Sequence, residues 1–258
     1  MPEARTHLVS TADRDGAAGA RRAAVIEGRR VPAVTTINRG EEIAVRAAIA
    51  ARTEALFRSS GALREGHFQL KSGRHGDAYL EKFAVLSNPA ATSELCGFWA
   101  AEHRDGSDAA TVDVVAGPTT GGIVLAFETA RQLGTPGIFA EEVRAADGSL
   151  RRAFRRGFRI EPGQRVLLVD DILTTGGSLL AMLPAVEALA AEVVACHVLV
   201  DRSGEERSTI TSPASGRVYP LRSLWRLDLP TYEAGDACPL CVRRVPLETP
   251  GAGGAAGA

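Results

Sequence analysis

Residues 166–178 read Val166-Leu167-Leu168-Val169-Asp170-Asp171-Ile172-Leu173-Thr174-Thr175-Gly176-Gly177-Ser178, and this run decides the fold. Its four leading apolar residues predict a strand that is buried on both faces. Two carboxylates stand at the carboxyl end of that strand, and a turn of Thr, Gly and Ser leads into the next predicted helix. This order indicates an α/β protein with a ligand site where the strand ends.

The turn and the two acids suit a phosphorylated sugar. Main-chain N–H groups and hydroxyls at a helix N-terminus can bind a phosphate dianion, because the unpaired donors and the helix dipole point to the same place. Asp170 and Asp171 can accept hydrogen bonds from vicinal ribose hydroxyls or from water on a divalent cation. A P-loop is excluded because no Gly-Lys-Ser/Thr follows, and the glycines lack the Rossmann spacing. A lone Asp-Asp pair is often only a solvated strand end, but the full run is much more specific.

The run resembles the signature of the type I phosphoribosyltransferases, in which an apolar strand, two acids and a Thr/Gly turn bind phosphoribosyl diphosphate. The resemblance implies that Asp170 and Asp171 are catalytic, holding the ribose near an oxocarbenium-like transition state. It also implies Mg²⁺ as the cofactor, with the same two acids as indirect ligands. The implied donor site consists of Asp170, Asp171, Ile172, Leu173, Thr174, Thr175, Gly176, Gly177, Ser178, Thr120, Gly121 and Arg144.

The bulk properties fit a globular enzyme. The chain has 258 residues, of which 45% are apolar and 24% charged, with a formal net charge of -1. Such a chain has no general attraction to nucleic acid or to an anionic membrane. No apolar run approaches the roughly 18 residues of a transmembrane helix, and no secretory signal precedes the domain, so we expect a cytoplasmic protein. Lysine occurs only at Lys71 and Lys82, which suggests that an ammonium group matters there.

Alternating helix and strand patterns predict an α/β fold, a parallel sheet flanked by helices, with a small N-terminal hood and a flexible β-hairpin loop, as in type I phosphoribosyltransferases. We expect a disordered extension (1–41), a folded domain (42–247) with a hood at 61–86 and a core at 108–202, and a disordered Gly/Ala tail (248–258). The predicted helices are 42–59, 88–103, 121–133 and 176–190. The predicted strands are two within 67–86, then 112–116, 137–140, 165–169 and 193–200, with the hairpin at 141–159.

Three strand ends should meet on one rim of the sheet. They are the turn Gly117–Gly122, the two acids, and Asp201-Arg202. Ligands of parallel sheets bind outside the carboxyl ends of the strands, so we expect the active site at this rim.

The hood narrows the choice of acceptor. The stretch 66–74, followed by Tyr79, resembles the N-terminal hood of orotate phosphoribosyltransferases, and Asp201-Arg202 resembles that family's Asp-Arg. Arginine suits the orotate carboxylate because its planar guanidinium forms two parallel hydrogen bonds. The resemblance implies orotate phosphoribosyltransferase activity in a homodimer, with a hairpin loop lent by the neighbouring subunit. The implied orotate site consists of Lys71, Thr174, Arg202, Tyr79 and Leu80.

Two departures from the family pattern leave the diphosphate contacts open. Glu141 and Glu142 stand where the usual pattern has Arg-Lys, and Gly121 stands where many members have lysine. The hairpin contains no lysine or histidine, so its positive charge must come from arginine. The candidates are Arg144, Arg151, Arg152, Arg155 and Arg156.

Two alternatives to the orotate reaction remain. A purine or uracil phosphoribosyltransferase would share the donor site but not the hood sequence 71–74. A phosphoribosyltransferase-like regulator that binds nucleic acid would need a basic face, and the sequence has no stripe of aromatic and basic residues.

The C-terminal cysteines have the spacing of half a zinc site. Cys238 and Cys241 form a C-x-x-C pair, but the only other cysteines are Cys96 and Cys196, and no second pair exists. A disulfide is disfavoured in the cytoplasm. The sequence favours a plain C-terminal turn, with metal binding as the alternative.

Overall fold

A computed structural model describes residues 39–70, 72–205 and 207–250. The helices are α1 (Arg39–Ser59), α2 (Lys82–Leu86), α3 (Pro89–Glu102), α4 (Gly121–Leu133), α5 (Gly177–Glu187) and α6 (Pro239–Val242). The strands are β1 (Leu63–Gln69), β2 (His75–Leu80), β3 (Val114–Pro118), β4 (Gly137–Arg144), β5 (Leu150–Phe154), β6 (Arg165–Leu173), β7 (Glu192–Asp201), β8 (Thr209–Thr211), β9 (Val218–Arg226), β10 (Thr231–Tyr232) and β11 (Leu247–Glu248). Within the described ranges, no helix combines the length and the apolar character that crossing a bilayer requires.

The main sheet has seven strands in the order β5-β4-β3-β6-β7-β9-β8. The five central strands, β4, β3, β6, β7 and β9, run parallel, and the two edge strands are antiparallel to their neighbours. The predicted α/β class with a parallel sheet and flanking helices is therefore confirmed. Because β3, β6 and β7 are adjacent and parallel, their carboxyl ends lie on the same rim.

The run that opens β6 is apolar throughout because both of its faces are covered. Val166 and Leu168 pack with the buried side of α5, whereas Leu167 and Val169 pack on the other face with α1, α3 and α4. Alternate residues of a strand point to opposite faces, so two buried faces require an unbroken apolar run.

Local signals set the start of α3 as predicted. The side chain of Asn88 accepts hydrogen bonds from the backbone N–H groups of Ala90 and Ala91, at 3.1 and 3.2 Å, and Pro89 occupies the first turn. An N-cap side chain and a proline at this position satisfy donors that the helix itself leaves unpaired.

A second, smaller sheet contains the hood and has the order β10-β2-β1-β11. The antiparallel pair β1 and β2 is the predicted strand–turn–strand, but the other two strands come from the C-terminal part of the chain. Arg74 helps to hold this segment, because its guanidinium donates to the hydroxyl (2.9 Å) and the carbonyl (2.7 Å) of Thr231 and pairs with Glu233.

Several predicted boundaries differ from the structure. Helix α1 begins at Arg39, inside the expected extension, and Glu248 belongs to β11 although it was assigned to the tail. Strand β2 ends at Leu80 and residues 82–86 form a helix, where the sequence predicts strand. The other residues of the expected extension and tail, 1–38 and 251–258, lie outside the described residues.

Two strands of the predicted core extend further than expected. Strand β4 continues through the acidic residues to Arg144 because it pairs with β5, and β6 continues through both aspartates to Leu173 because it pairs with β7. The sequence predicts no strand after residue 200, yet β9 and β8 complete the sheet. Pro220 lies within β9, and proline usually argues against a strand in the middle of a sheet.

Candidate active site

The end of β6 and the turn after it enclose a cavity of about 200 Å³. Val198 of β7 lines one side of the cavity. Gly177, the first residue of α5, also lines it. Thr174 and Thr175 are exposed at the turn, while Asp170 is buried at the strand end. The cavity is lined by Asp170, Ile172, Leu173, Thr174, Thr175, Gly176, Gly177, Ser178, Leu179 and Val198. The structure therefore brings nearly the whole predicted donor run around one space.

Asp170 and Asp171 are both buried and are locked by the backbone. The N–H of Asp171 donates to Oδ1 of Asp170 (2.8 Å), and the N–H of Ile172 donates to Oδ1 of Asp171 (2.7 Å). Burial and the neighbouring charge of Asp171 raise the pKa of Asp170 to about 7, against the opposing effects of the Asp171 N–H, Lys82 and Arg152. Two adjacent buried carboxylates favour a cationic or hydroxyl-bearing partner.

Lys82 is a site residue that the predicted set lacks. Lys82 is the first residue of α2. Its Nζ lies 2.7 Å from Oδ2 of Asp171 and 5.4 Å from the centroid of the Phe83 ring. The scarcity of lysine singles Lys82 out in the sequence. The residues around it predict a strand, however, and a strand at this point gives no reason to expect the ammonium beside the acids.

The turn Gly117–Gly122 packs directly against the acids. A Cβ on Gly121 would overlap Oδ2 of Asp171, and a Cβ on Gly117 would overlap the backbone of Gly122. The peptide between Thr119 and Thr120 is cis. A side chain at position 121 would not fit with Asp171 in this place.

The hairpin arginines have different partners. Arg152 reaches the turn, because its Nη1 donates to Oγ1 of Thr119 (2.8 Å). Arg144 donates to the carbonyl of Gly148 (2.8 Å) in the hairpin's own turn, and no contact among the described residues joins it to the acids. Arg151 pairs with Asp147, Arg156 pairs with Glu141, and Arg155 is exposed. Within one chain, Arg152 rather than the predicted Arg144 borders the site.

Arg202 follows the end of β7 beside the donor cavity. Its backbone N–H donates to the carbonyl of Leu173 (2.7 Å), which ties it to the end of β6. The side chain is half-buried, and its buried Nε has no partner among the described residues. Burial lowers the pKa of Arg202, and nearby Tyr79 partly opposes this shift. An unpartnered guanidinium N–H is a site for an anionic ligand.

The other predicted orotate residues are placed in part. Tyr79 and the buried Leu80 end β2, and the Tyr79 ring packs against Phe68 with centroids 5.7 Å apart. Thr174 lies in the donor turn. Lys71 lies outside the described residues, so nothing is stated of its position.

Comparison with known proteins agrees with this geometry. The family model described as "Phosphoribosyl transferase domain" matches residues 84–216. The chain is 40% identical to the orotate phosphoribosyltransferase of Caldicellulosiruptor saccharolyticus over 196 residues, covering 76% of this chain and 93% of that protein. It is 39% identical to that of Chlorobaculum parvum over 199 residues, covering 77% of this chain and 94% of that protein.

The fold comparison gives the same result. The crystal structure of orotate phosphoribosyltransferase from Aeropyrum pernix matches with a TM-score of 0.52 and 26% identity, covering 67% of this chain and 92% of that one. These matches show that the chain belongs to the orotate phosphoribosyltransferase family of type I phosphoribosyltransferases.

Proposed function

We propose that this protein transfers the phosphoribosyl group from 5-phospho-α-D-ribose 1-diphosphate to orotate. The products are orotidine 5′-monophosphate and diphosphate, in de novo pyrimidine biosynthesis. The observation that carries the proposal is the buried pair Asp170 and Asp171 at the end of β6, with Arg202 after the adjacent strand, whose buried Nε has no partner among the described residues. Membership of the orotate phosphoribosyltransferase family supports the same reaction.

The donor's 5′-phosphate fits the cavity at the start of α5. Thr174, Thr175 and Ser178 supply hydroxyls there, and the first turn of α5 supplies backbone N–H groups and the positive end of the helix dipole. Gly176 has a φ of 84°, a left-handed conformation that glycine adopts without strain. The left-handed glycine lets the backbone bend around the phosphate, and no Cβ at this position takes up space in the cavity.

The two aspartates act on the ribose and on the charge that develops in it. Their carboxylates accept hydrogen bonds from the ribose hydroxyls and lie beside the ring as it becomes oxocarbenium-like. Negative charge held in a buried site stabilises such a transition state because the protein need not reorganise to provide it. Lys82 holds Asp171 in place at 2.7 Å and keeps part of its charge compensated before substrates bind.

The carboxylate pair also fits Mg²⁺, a hard cation that prefers oxygen ligands and keeps several waters. We propose that Asp170 and Asp171 hold it indirectly, through water. When bound, it neutralises the departing diphosphate as a Lewis acid. The turn 117–122 and Thr120 in particular would border the diphosphate.

Arg202 would bind the orotate carboxylate. No group in the described part of the chain accepts from its buried Nε, so a carboxylate in the site would satisfy this donor. Tyr79, Leu80 and Thr174 would line the pyrimidine, with Lys71 as the remaining hood residue. The base then lies between β2 and the donor turn, with N1 directed at the ribose.

The hairpin would act across a dimer. In the described part of the chain, the Arg144 side chain bonds to the carbonyl of Gly148 in its own hairpin turn and not to the acids, so we propose that it contacts the diphosphate in the neighbouring subunit's site, while Arg152 serves its own chain. Cytoplasmic location is part of the proposal, and the four free cysteines agree with a reducing compartment.

Loss of orotate absorbance tests the function directly. We expect orotate to be consumed only when the donor and Mg²⁺ are both present, with little or no product from adenine, hypoxanthine or uracil. Asp171→Asn should lower kcat/KM by on the order of 10²-fold or more while the fold is kept, because it removes a charge aimed at the transition state.

The control is Asp108→Asn, an exposed aspartate whose side chain is 83% accessible, which should leave the rate unchanged. Preference for another base would reassign the acceptor. If the protein converts none of these bases and binds nucleic acid in a salt-sensitive way, the proposal of an enzyme is wrong and the regulator alternative is favoured. Wild-type activity in Asp171→Asn would remove this acid from the mechanism.

A further inference from the structure

Four metal-ligating side chains meet beneath the hood, away from the donor cavity. His67 lies on β1, His75 lies on β2, Cys238 is the N-cap of α6, and Cys241 lies within that helix. One ligand atom from each lies within 4.8 Å of all the others. Three of the four residues are buried, with Cys238 fully so. The sequence showed only the Cys-x-x-Cys half of this group.

The nitrogen–sulfur distances within the cluster are those of a tetrahedral site. Nε2 of His67 lies 3.6 Å from Sγ of Cys238 and 3.7 Å from Sγ of Cys241, and the last sulfur lies 3.3 Å from Nδ1 of His75. Zinc bonds of about 2.0–2.1 Å to nitrogen and about 2.3 Å to sulfur give tetrahedral edges of about 3.6 Å for N–S and about 3.3 Å for N–N. The two imidazole nitrogens lie 2.8 Å apart, which is a hydrogen-bond distance, so they must separate by about 0.5 Å when the metal replaces that contact.

One histidine is oriented by a second contact. Nδ1 of His67 lies 2.8 Å from the carbonyl oxygen of Val245, and donation to that oxygen leaves Nε2 as the lone-pair nitrogen facing the cluster. Metal-binding histidines commonly have their other ring nitrogen held in this way. The carbonyl belongs to the same C-terminal segment as the cysteines, so one short stretch provides two ligands and the orienting group.

We propose that His67, His75, Cys238 and Cys241 bind one structural Zn²⁺ that fastens the C-terminal segment to the hood. Two thiolates and two neutral imidazoles balance the charge of the ion, which suits a buried position. Binding requires the two thiols to lose their protons, which are released to solvent. Four protein ligands leave no open position, so the metal has no part in the transfer reaction.

The site has a mechanical consequence for the hood. His67 and His75 lie on the paired strands β1 and β2, and the same small sheet pairs β1 with β11 and β2 with β10. The metal would therefore cross-link both strands of the hood to residues more than 160 positions later in the chain. This role does not depend on which base the enzyme uses.

Metal content of the full-length protein is the first test. Purified protein should contain about one zinc ion per chain by elemental analysis, and Cys241→Ser and His75→Ala should reduce this to near zero. Cys96→Ser is the matched control, since Cys96 lies in the main core, where it donates to the carbonyl of Leu125, and does not belong to the cluster. Protein that neither contains nor takes up zinc, or a Cys241→Ser variant that keeps it, would overturn the proposal.

A second measurement does not depend on folding of the variants. Stripping wild-type protein with a chelator and adding Co²⁺ should produce the visible bands of a tetrahedral cobalt–thiolate centre, and added Zn²⁺ should displace them and raise Tm. Absence of these bands would show that the four side chains do not form a metal site. A Cys238–Cys241 disulfide in freshly purified, zinc-free protein would contradict it as well, since it would make the pair a redox element.

Discussion

Asp171 is the point at which three separate segments meet. Its Oδ1 accepts from the backbone of Ile172, its Oδ2 contacts Lys82, and the Cα of Gly121 lies against the same oxygen. The acid is therefore held by its own strand, by the helix after the hood and by the turn after β3. A substitution at any of these contacts should move the Asp171 carboxylate and thereby alter the proposed ribose site.

Gly121→Ala tests this convergence. The added methyl group would overlap Oδ2 of Asp171, so the carboxylate or the turn must move. We expect a fall in kcat/KM for the donor on the order of 10²-fold, since displacements of about 1 Å at a reacting centre have such effects. Steady-state kinetics with varied donor measure it. Gly106→Ala is the control, because a Cβ there meets no atom within 4 Å, and equal kinetics of the two variants would refute the steric argument.

Arg202→Ala should separate the two substrates. Loss of a charge-assisted hydrogen bond costs about 1.5–3 kcal/mol, so the KM for orotate should rise by about 10- to 100-fold while the donor KM changes much less. Initial rates with each substrate varied in turn give both constants. Arg222→Ala, an exposed arginine paired with Glu102, should change neither. Equal effects on the two constants would rule out a carboxylate-binding role.

At the scale of elements, Glu128 joins two helices that support the rim. It lies on α4, where it binds Arg131 at 2.8 Å, and it also accepts from Ser93 of α3 (2.7 Å) and from Gln132 (2.8 Å). The Arg131 guanidinium, with Ser93 and Gln132, holds the pKa of Glu128 down at about 2 in spite of partial burial. The carboxylate therefore stabilises the packing of α3 on α4 in its charged form.

Glu128→Gln should destabilise the fold in a pH-dependent way. A carboxyl pKa that is lower in the folded state contributes stability above its unfolded value of 4.5, and that contribution is lost as the pH falls toward about 2. We expect a loss of about 1 kcal/mol at pH 7 and a smaller one at pH 3. Urea unfolding at both pH values measures it, with exposed Glu161→Gln as the control. A difference that does not change with pH would show that packing, and not charge, is responsible.

The sequence predicts those elements whose signals are local. The apolar run of β6, the cap at Asn88 and the Thr/Gly turn each act within a few residues, and the structure places all three as expected. Strands β8 to β11 could not be read in this way, because short polar strands such as β10 and β11 exist only through partners far along the chain. Similarly, His67 and Cys238 are 171 residues apart, so their meeting has no local signal.

At the scale of the whole molecule, the two sheets have different origins in the chain. The seven-stranded sheet is built from the continuous stretch between β3 and β9, whereas the small sheet combines residues from both ends of the domain. The proposed active site lies where these parts meet: Tyr79 and Lys82 come from the hood side, and the acids and Arg202 come from the large sheet.

Complementation between subunits tests the proposed dimer. If Arg144 works in the neighbouring site, Arg144→Ala and Asp171→Asn should each be nearly inactive alone. Random exchange of subunits in an equal mixture should restore about a quarter of the wild-type sites, because half of the dimers are hybrids with one intact site each. Activity after mixing, with light scattering for the oligomeric state, gives the answer. No recovery, or a fully active monomer, would show that the hairpin acts within its own chain.

The parallel pairing of β11 with β1 has a consequence for synthesis. Leu247 lies opposite His67, so the ribosome must deliver about 180 further residues before the first strand of the small sheet acquires this neighbour. The parallel strands and their helices emerge earlier and can assemble while translation continues. We therefore expect the donor site to form first in the nascent enzyme and the small sheet to be completed last.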